Sequence, residues 1–273
     1  MNRSQRQLLA AETVTIYRTG GYTSPTGKAI DLTDDFEAAV AGTQLYRPGQ
    51  LEKLAASISR GSRETAVDVT DETTLAAARR LADGSRTVAT LNFASAKNPG
   101  GGFLSGAGAQ EESIARASGL VPCLEAAPDY YAKNRAFENC LYTDHLIYSP
   151  DVPIFRDDDG GLLDEPFFVS ILTAPAPNAG AVRSNTPHLE DEIEPTLARR
   201  IRHVLAVAAD QRHDAIVLGA WGCGVFKNDP AAVAELFKNE LNNDFAGVFE
   251  RVAFAIYDPT KGQATLAAFR ETF

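Results

Sequence analysis

An α/β sandwich on a largely parallel or mixed sheet is the fold this sequence predicts, and three observations carry that expectation. Its apolar runs are of strand length, as at residues 215–220 and 167–173, and none approaches the ~20 residues of a membrane span. From Glu64 onward, β-rich segments alternate with helical ones. Two of the turns leading from strand to helix are rich in glycine. Ligands of such sheets sit at loops beyond the carboxyl ends of the strands, so these two turns are where function is expected.

Residues 1–63 read as an N-terminal attachment and residues 64–273 as the main domain. In the attachment, a polar helix over residues 3–12 precedes turns at Gly20-Gly21 and Ser24-Pro25-Thr26-Gly27, set around short extended pieces. A second helix is expected over residues 50–60. The main domain opens with a β-rich strand over 65–70 and a helix over 71–82, rich in Ala, Leu and Arg, with Gly84 at its end. A strand over 87–95 enters the first glycine turn, and helices follow over 111–119 and 129–139. Strands at 145–148 and 167–173 flank a polar turn at 157–161. A long helix over 190–210 leads to an apolar strand over 214–220 and the second glycine turn. There Asp229 suits an N-cap and Pro230 the first helical position of a helix over 230–241. A strand over 251–257 and a helix over 263–270 close the chain.

Composition narrows the function. With 44% hydrophobic and 23% charged residues the chain is an ordinary globular protein with enough apolar side chains for a sizeable core. A net charge of −10 argues against a broad basic surface for polyanions, so no sequence-specific nucleic acid is expected as a partner. It leaves room for an anionic ligand held locally by backbone N–H groups. Cys123, Cys140 and Cys223 form no CxxC pair, and His145, His188, His203 and His213 are scattered, so neither a disulfide framework nor a metal site is expected, and no cofactor. The N-terminus, Met1 to Glu12, lacks the apolar centre of a signal peptide. A cytoplasmic protein, away from membranes, is the expectation.

The first glycine turn reads Asn98-Pro99-Gly100-Gly101-Gly102-Phe103-Leu104-Ser105-Gly106-Ala107-Gly108-Ala109-Gln110-Glu111-Glu112. Three consecutive glycines cost backbone entropy and give a core nothing to pack, which makes sense where backbone must approach a ligand closely. The second turn, Gly219-Ala220-Trp221-Gly222-Cys223-Gly224-Val225-Phe226-Lys227-Asn228, feeds a helix and can present N–H groups to a diphosphate. Neither fits GxxxxGK[ST], which disfavours a nucleotide triphosphatase.

The triple glycine Gly100, Gly101 and Gly102, a spacer of seven residues, and then Gln110-Glu111-Glu112 resemble the signature of poly(ADP-ribose) glycohydrolases. The second turn resembles the diphosphate loop of the macrodomain on which those enzymes are built, and the whole chain is similar to their short bacterial type. That resemblance implies a macrodomain-like three-layer α/β/α sandwich with a mixed sheet over residues 64–273. It implies hydrolysis of ribose–ribose bonds in poly(ADP-ribose), mainly from the polymer's end because the attachment caps the terminal ribose. The implied partners are poly(ADP-ribose), ADP-ribose and ADP-ribosylated proteins. Residue by residue, it implies that Glu112 protonates the leaving ribose oxygen and then activates water, while Glu111 binds ribose hydroxyls. Neighbours on a helix point ~100° apart, so the two carboxyls cannot share one role. Gln110, Gly100, Gly101 and Gly102 belong to the same substrate-binding set, with Gly222, Cys223, Gly224 and Val225 on the diphosphate. Asn98 is implied to hold the distal ribose, its other reading being a turn residue before Pro99. Phe226 is implied to lie against that ribose, or else to plug the core. Asp68 falls where macrodomains hold adenine's amino group, or is a strand-end cap. Tyr257 could stack on adenine, or simply pack.

Two rivals stand beside this reading: a non-catalytic reader of ADP-ribose ends, which has no need of a Glu pair, and a hydrolase of single ADP-ribose units on proteins. In the latter the leaving group is an amino-acid side chain, which a site shaped for a ribose hydroxyl serves poorly.

Overall fold

The computed structural model describes residues 1–82 and 86–273. Helix α1 (Arg3–Thr19) starts on Asn2, whose side chain accepts the Gln5 N–H while Gln5 reaches back to the Asn2 N–H, and stops at Gly20 in the left-handed conformation (φ 82°). It runs seven residues past the expected end because Ala10, Thr13 and Ile16 put a buried stripe on one face. A hairpin of β1 (Gly21–Thr23) and β2 (Ala29–Asp31) follows, matching the turn signals around Ser24 to Gly27.

The sequence reading omitted the next two elements, α2 (Thr33–Gly42) and β3 (Gln44–Tyr46). Asp34 and Asp35 favour the head of α2 through the helix dipole, and Phe36 and Ala39 anchor it in the core. Helix α3 (Pro48–Ser57) has proline in its first turn. Strand β4 (Ala66–Thr70) and helix α4 (Thr74–Leu81) come next; Thr73 caps α4 by accepting the Ala76 N–H at 3.1 Å. Gly84, expected to end this helix, lies outside the described residues.

Strand β5 (Val88–Phe93) enters the first glycine loop, after which come α5 (Gln110–Ala117), α6 (Leu120–Glu125) and α7 (Pro128–Ala136). Strands β6 (Leu146–Arg156) and β7 (Leu162–Ala174) form a long hairpin closed where the polar turn was expected. The expected strand stopped at Tyr148; β6 runs on to Arg156 through Pro150 and Pro153, residues that seldom lie inside a sheet. The structure admits Pro150 through a register shift between Ser149 and Val152, with Asp151 at φ 43°, while Pro153 stays in register opposite Phe168. Helices α8 (Ala179–Asn185) and α9 (Ile193–Asp210), strand β8 (Ala215–Leu218), helix α10 (Pro230–Asn242), strand β9 (Arg251–Ala255) and helix α11 (Ala264–Thr272) complete the chain.

Seven strands form one mixed sheet in the order β3-β6-β7-β5-β8-β9-β4. β6 runs antiparallel to both its neighbours, β3 and β7; β7, β5, β8, β9 and β4 run parallel. Alternation along the strands sends Leu91, Ile216, Leu218 and Phe254 to a layer made with α3, α9, α10 and α11. Val88, Ala215, Val217 and Ile171 go to the opposite layer, with α2, α4, α5, α6 and α7. The result is the expected three-layer α/β/α sandwich. Segment 1–63 adds to it directly, since β3 is an edge strand of this sheet and α1 packs on the first glycine loop. Among the described residues, no helix is long and apolar enough to cross a membrane.

Candidate active site

The parallel strands bring the loops after β5 and β8 to one edge of the sheet, because the two strands are neighbours and point the same way. The first loop returns as α5, and its first turn presents Gln110, Glu111 and Glu112. The three side chains do different work.

Gln110 serves the fold. Its Oε1 accepts the Phe93 N–H at 2.8 Å and its Nε2 donates to the Leu91 carbonyl at 2.7 Å and to Thr74 Oγ1 at 3.1 Å, so the amide clamps the head of α5 onto the end of β5. With both ends of the amide engaged within the chain, Gln110 positions the head of α5.

Glu111 is 3% exposed. Its Oε2 accepts the Ser95 N–H at 2.7 Å, and Asn92 Nδ2 stands 3.4 Å from Oε1 while also donating to Thr173 Oγ1 at 3.2 Å. Burial pushes its carboxyl up to about 8; the Ser95 N–H opposes that rise and the charge of Glu112 adds to it. Near neutral pH this acid holds its proton.

Glu112 is 9% exposed and fixed at both oxygens: Oε1 accepts the Gly102 N–H at 2.9 Å and Oε2 the Ala109 N–H at 3.0 Å. Ala109 is the residue before α5, so the second bond is the return half of a capping box. Gly101 lies between the two acids. At φ 59° it occupies the left-handed region, and a Cβ there would collide with Glu112 Oε1 and stand 2.9 Å from Glu111 Oε2. The triple glycine therefore serves the carboxylates as much as a ligand. Gly100 (φ 66°) is buried, and its N–H acts on Glu111; Gly102 orients Glu112.

The second loop is pinned from below. Trp221 is fully buried, and buried Asn228 donates to the carbonyls of Pro177 (2.9 Å) and Gly222 (3.2 Å). Gly222 sits at φ 74° where a Cβ would collide with Asn228 Nδ2. Beyond it the loop opens: a Cβ on Gly224 would meet nothing within 4 Å, and Val225 is 80% exposed. The N–H groups of Gly224, Val225 and Phe226 meet no acceptor within the chain among the described residues, as an anion-binding turn requires. Cys223 packs against the core, and burial pushes its thiol up to about 12, so it offers no thiolate. Phe226 is half-buried beside Tyr142, with ring centroids 6.2 Å apart.

Asn98 is exposed, with its backbone N–H on Ser95 Oγ (3.1 Å) and its side chain without a partner among the described residues. Tyr257, just past β9, is 66% exposed and suits a stacking platform. For Asp68 the structure decides only the reading as a strand-end cap, which its place in the strand does not fit. It lies inside the edge strand β4, two residues before its end, with its carboxylate 3.6 Å from Arg80 and 4.0 Å from Arg251. It is neither a strand-end cap nor unpaired. Asn92, Ser95, Tyr142 and Asn228 escaped the sequence reading. Only Asn228, inside the second glycine turn, carried any local signal. Among the described residues no cluster of His, Cys, Asp and Glu is placed to hold a metal ion.

This arrangement finds its match among known proteins. The family model for the microbial-type PARG catalytic domain matches residues 10–157. The X-ray structure of poly(ADP-ribose) glycohydrolase from Thermomonospora curvata is 50% identical with a TM-score of 0.95, covering 99% of this chain and 100% of that one. The same protein bound to the inhibitor ADP-HPD gives a TM-score of 0.93 at the same identity and coverage. Poly(ADP-ribose) glycohydrolase from Deinococcus radiodurans in complex with ADP-ribose is 54% identical with a TM-score of 0.85, over 87% of this chain and 96% of that one. No curated protein sequence matches.

Proposed function

The chain belongs to the microbial-type poly(ADP-ribose) glycohydrolases, and from that membership we propose its reaction: hydrolysis of ribose–ribose O-glycosidic bonds in poly(ADP-ribose), mainly at the polymer's end, with release of ADP-ribose. The carrying observation is the pair of carboxyls at the head of α5, flanking Gly101 and reached by separate backbone donors. Relatives of known structure bind ADP-ribose and ADP-HPD, and the open N–H groups of Gly224, Val225 and Phe226 suit the diphosphate of such a ligand. Asn98 and Phe226 are assigned to the distal ribose and Tyr257 to the adenine.

Glycoside cleavage needs a proton for the leaving oxygen and relief of charge on an oxocarbenium-like sugar. In our assignment Glu112 enters the reaction with a proton, gives it to the leaving ribose oxygen as the glycosidic bond breaks, and as the resulting carboxylate takes one back from the water that attacks the sugar. Its two N–H donors fix the direction of that transfer. Glu111, uncharged near neutral pH, offers an O–H to the ribose hydroxyls and spares Glu112 a second negative charge at close range. The chain is assigned to the cytoplasm, acting on polymer attached to ADP-ribosylated proteins during the response to DNA damage.

Purified protein incubated with purified polymer is expected to release free ADP-ribose on chromatography. Intact polymer retained by the protein would instead establish a reader. A second expectation follows from Gly101. Gly101→Ala must displace Glu112, and a misplacement of ~1 Å costs about a hundredfold in turnover. The measurement is steady-state release of ADP-ribose, and turnover within a few-fold of wild type would remove Gly101 from the catalytic geometry.

A further inference from the structure

Glu112 takes its direction from N–H groups at the two ends of one short loop, Gly102 and Ala109. Within itself that loop is tied by a 3-10 turn over Phe103–Ser105 and by the Ala107 N–H to the Gly102 carbonyl at 3.2 Å; the rest of its hold comes from side chains. Three consecutive carbonyls in its middle each receive an arginine. The Ser105 carbonyl accepts from Arg3 Nε at 2.8 Å and from Gln7 Nε2 at 3.3 Å. The Gly106 carbonyl accepts from Arg6 Nε at 2.7 Å, and the Ala107 carbonyl from Arg116 Nη1 at 2.6 Å.

The fit leaves no slack. A Cβ on Gly106 (φ 78°) would stand 2.5 Å from the Arg3 carbonyl oxygen, and one on Gly108 would stand 3.1 Å from the Arg6 guanidinium carbon. Arg116 is buried and held in turn, since its own carbonyl accepts from Thr13 Oγ1 of α1 at 2.5 Å. Arg6 and Arg116 lie close enough to repel one another, and the charge of Glu112 offsets that repulsion. The family match starts at residue 10, so Arg3, Arg6 and Gln7 lie outside it.

We propose that Arg6, acting with Arg3 and Arg116, is a positioning residue for Glu112: α1 grips the carbonyls of the loop so that the N–H groups of Gly102 and Ala109 aim the carboxylate. The inference rests on the reading of Glu112 as the acid/base. Loosening the grip leaves the second glycine loop untouched, so it should slow turnover without weakening ADP-ribose binding. Charge-assisted bonds to carbonyls are the stronger kind, and a lysine can keep one of them.

The test compares Arg6→Gln, Arg6→Lys and the unaltered full chain by kcat on polymer, affinity for ADP-ribose, thermal midpoint, and hydrogen exchange over residues 102–109. Arg6→Gln is expected to lower kcat about tenfold with affinity within about twofold, to speed exchange in that segment at a near-constant thermal midpoint, and to be partly rescued by Arg6→Lys. Unchanged kcat in Arg6→Gln overturns the proposal, as does a fall in affinity matching the fall in kcat. If the unaltered chain does not cleave polymer, the reading of Glu112 fails, and exchange alone decides the grip: faster exchange in Arg6→Gln supports it and unchanged exchange overturns it.

Discussion

Glu112→Gln is expected to lower polymer turnover by about 10³-fold, within the range typical of general acid/base catalysis, while leaving ADP-ribose affinity close to wild type. The amide matches the carboxyl in shape, and its oxygen can still accept one of the two N–H groups, from Gly102 or Ala109. The other N–H then faces an NH₂ group, so a modest loss of stability accompanies the loss of the proton. The diphosphate-binding N–H groups lie on a different loop, after β8, which is why affinity should survive. Product release and calorimetry on the same folded preparation make the measurement. Turnover near wild type would sink the assignment of Glu112.

Glu111 is expected to make the protein less stable as pH rises. Its carboxyl titrates near 4.5 in the unfolded chain and about 8 in the folded one. Between those values the folded state holds a proton the unfolded state has lost, so stability falls with rising pH across that window. Below it the penalty is absent, and above about 8 it is complete, on the order of 4 kcal/mol. Other titrating groups are common to both proteins and cancel in a comparison with Glu111→Gln. The variant should therefore melt several degrees above wild type at pH 9 and close to it at pH 4.5, while still losing turnover through misplaced substrate. A melting difference that does not change between those pH values would show that Glu111 is not buried as an acid.

Much of this was legible in the chain because it is local. The cap of α10, the two glycine turns and the angular separation of Glu111 from Glu112 are all written within a few residues of one another. What escaped depends on distance along the chain. Asn92 and Ser95 meet Glu111 because β5 and α5 are folded side by side, and nothing in their neighbourhood announces it. Gln110 carries the same residue type a ligand contact would, and only its three bonds to β5 and α4 reveal its role. Asp68 shows the limit of judging where a strand ends: three residues along, Asp71 follows the strand and accepts from Gln263 at 2.7 Å. Pro150 and Pro153 hid most of β6, since a bulge is a property of the pairing and not of one strand.

Those prolines have a consequence for how molecules of this protein behave toward one another. A sheet edge with open N–H and C=O groups invites strands from other chains, and natural proteins blunt such edges. The outer edge of β6 is paired with β3 only over residues 146–148. Farther along, Pro150 and Pro153 bring no N–H, Asp151 turns away from extended geometry, and Ser118 bridges Ile154 while Gly119 donates to the Pro153 carbonyl. The opposite edge, β4, is five residues long and carries Asp68 beside Arg80 and Arg251. Neither border presents a long, flat, uncharged run to a passing strand. The sheet is thereby guarded against aggregation at both margins.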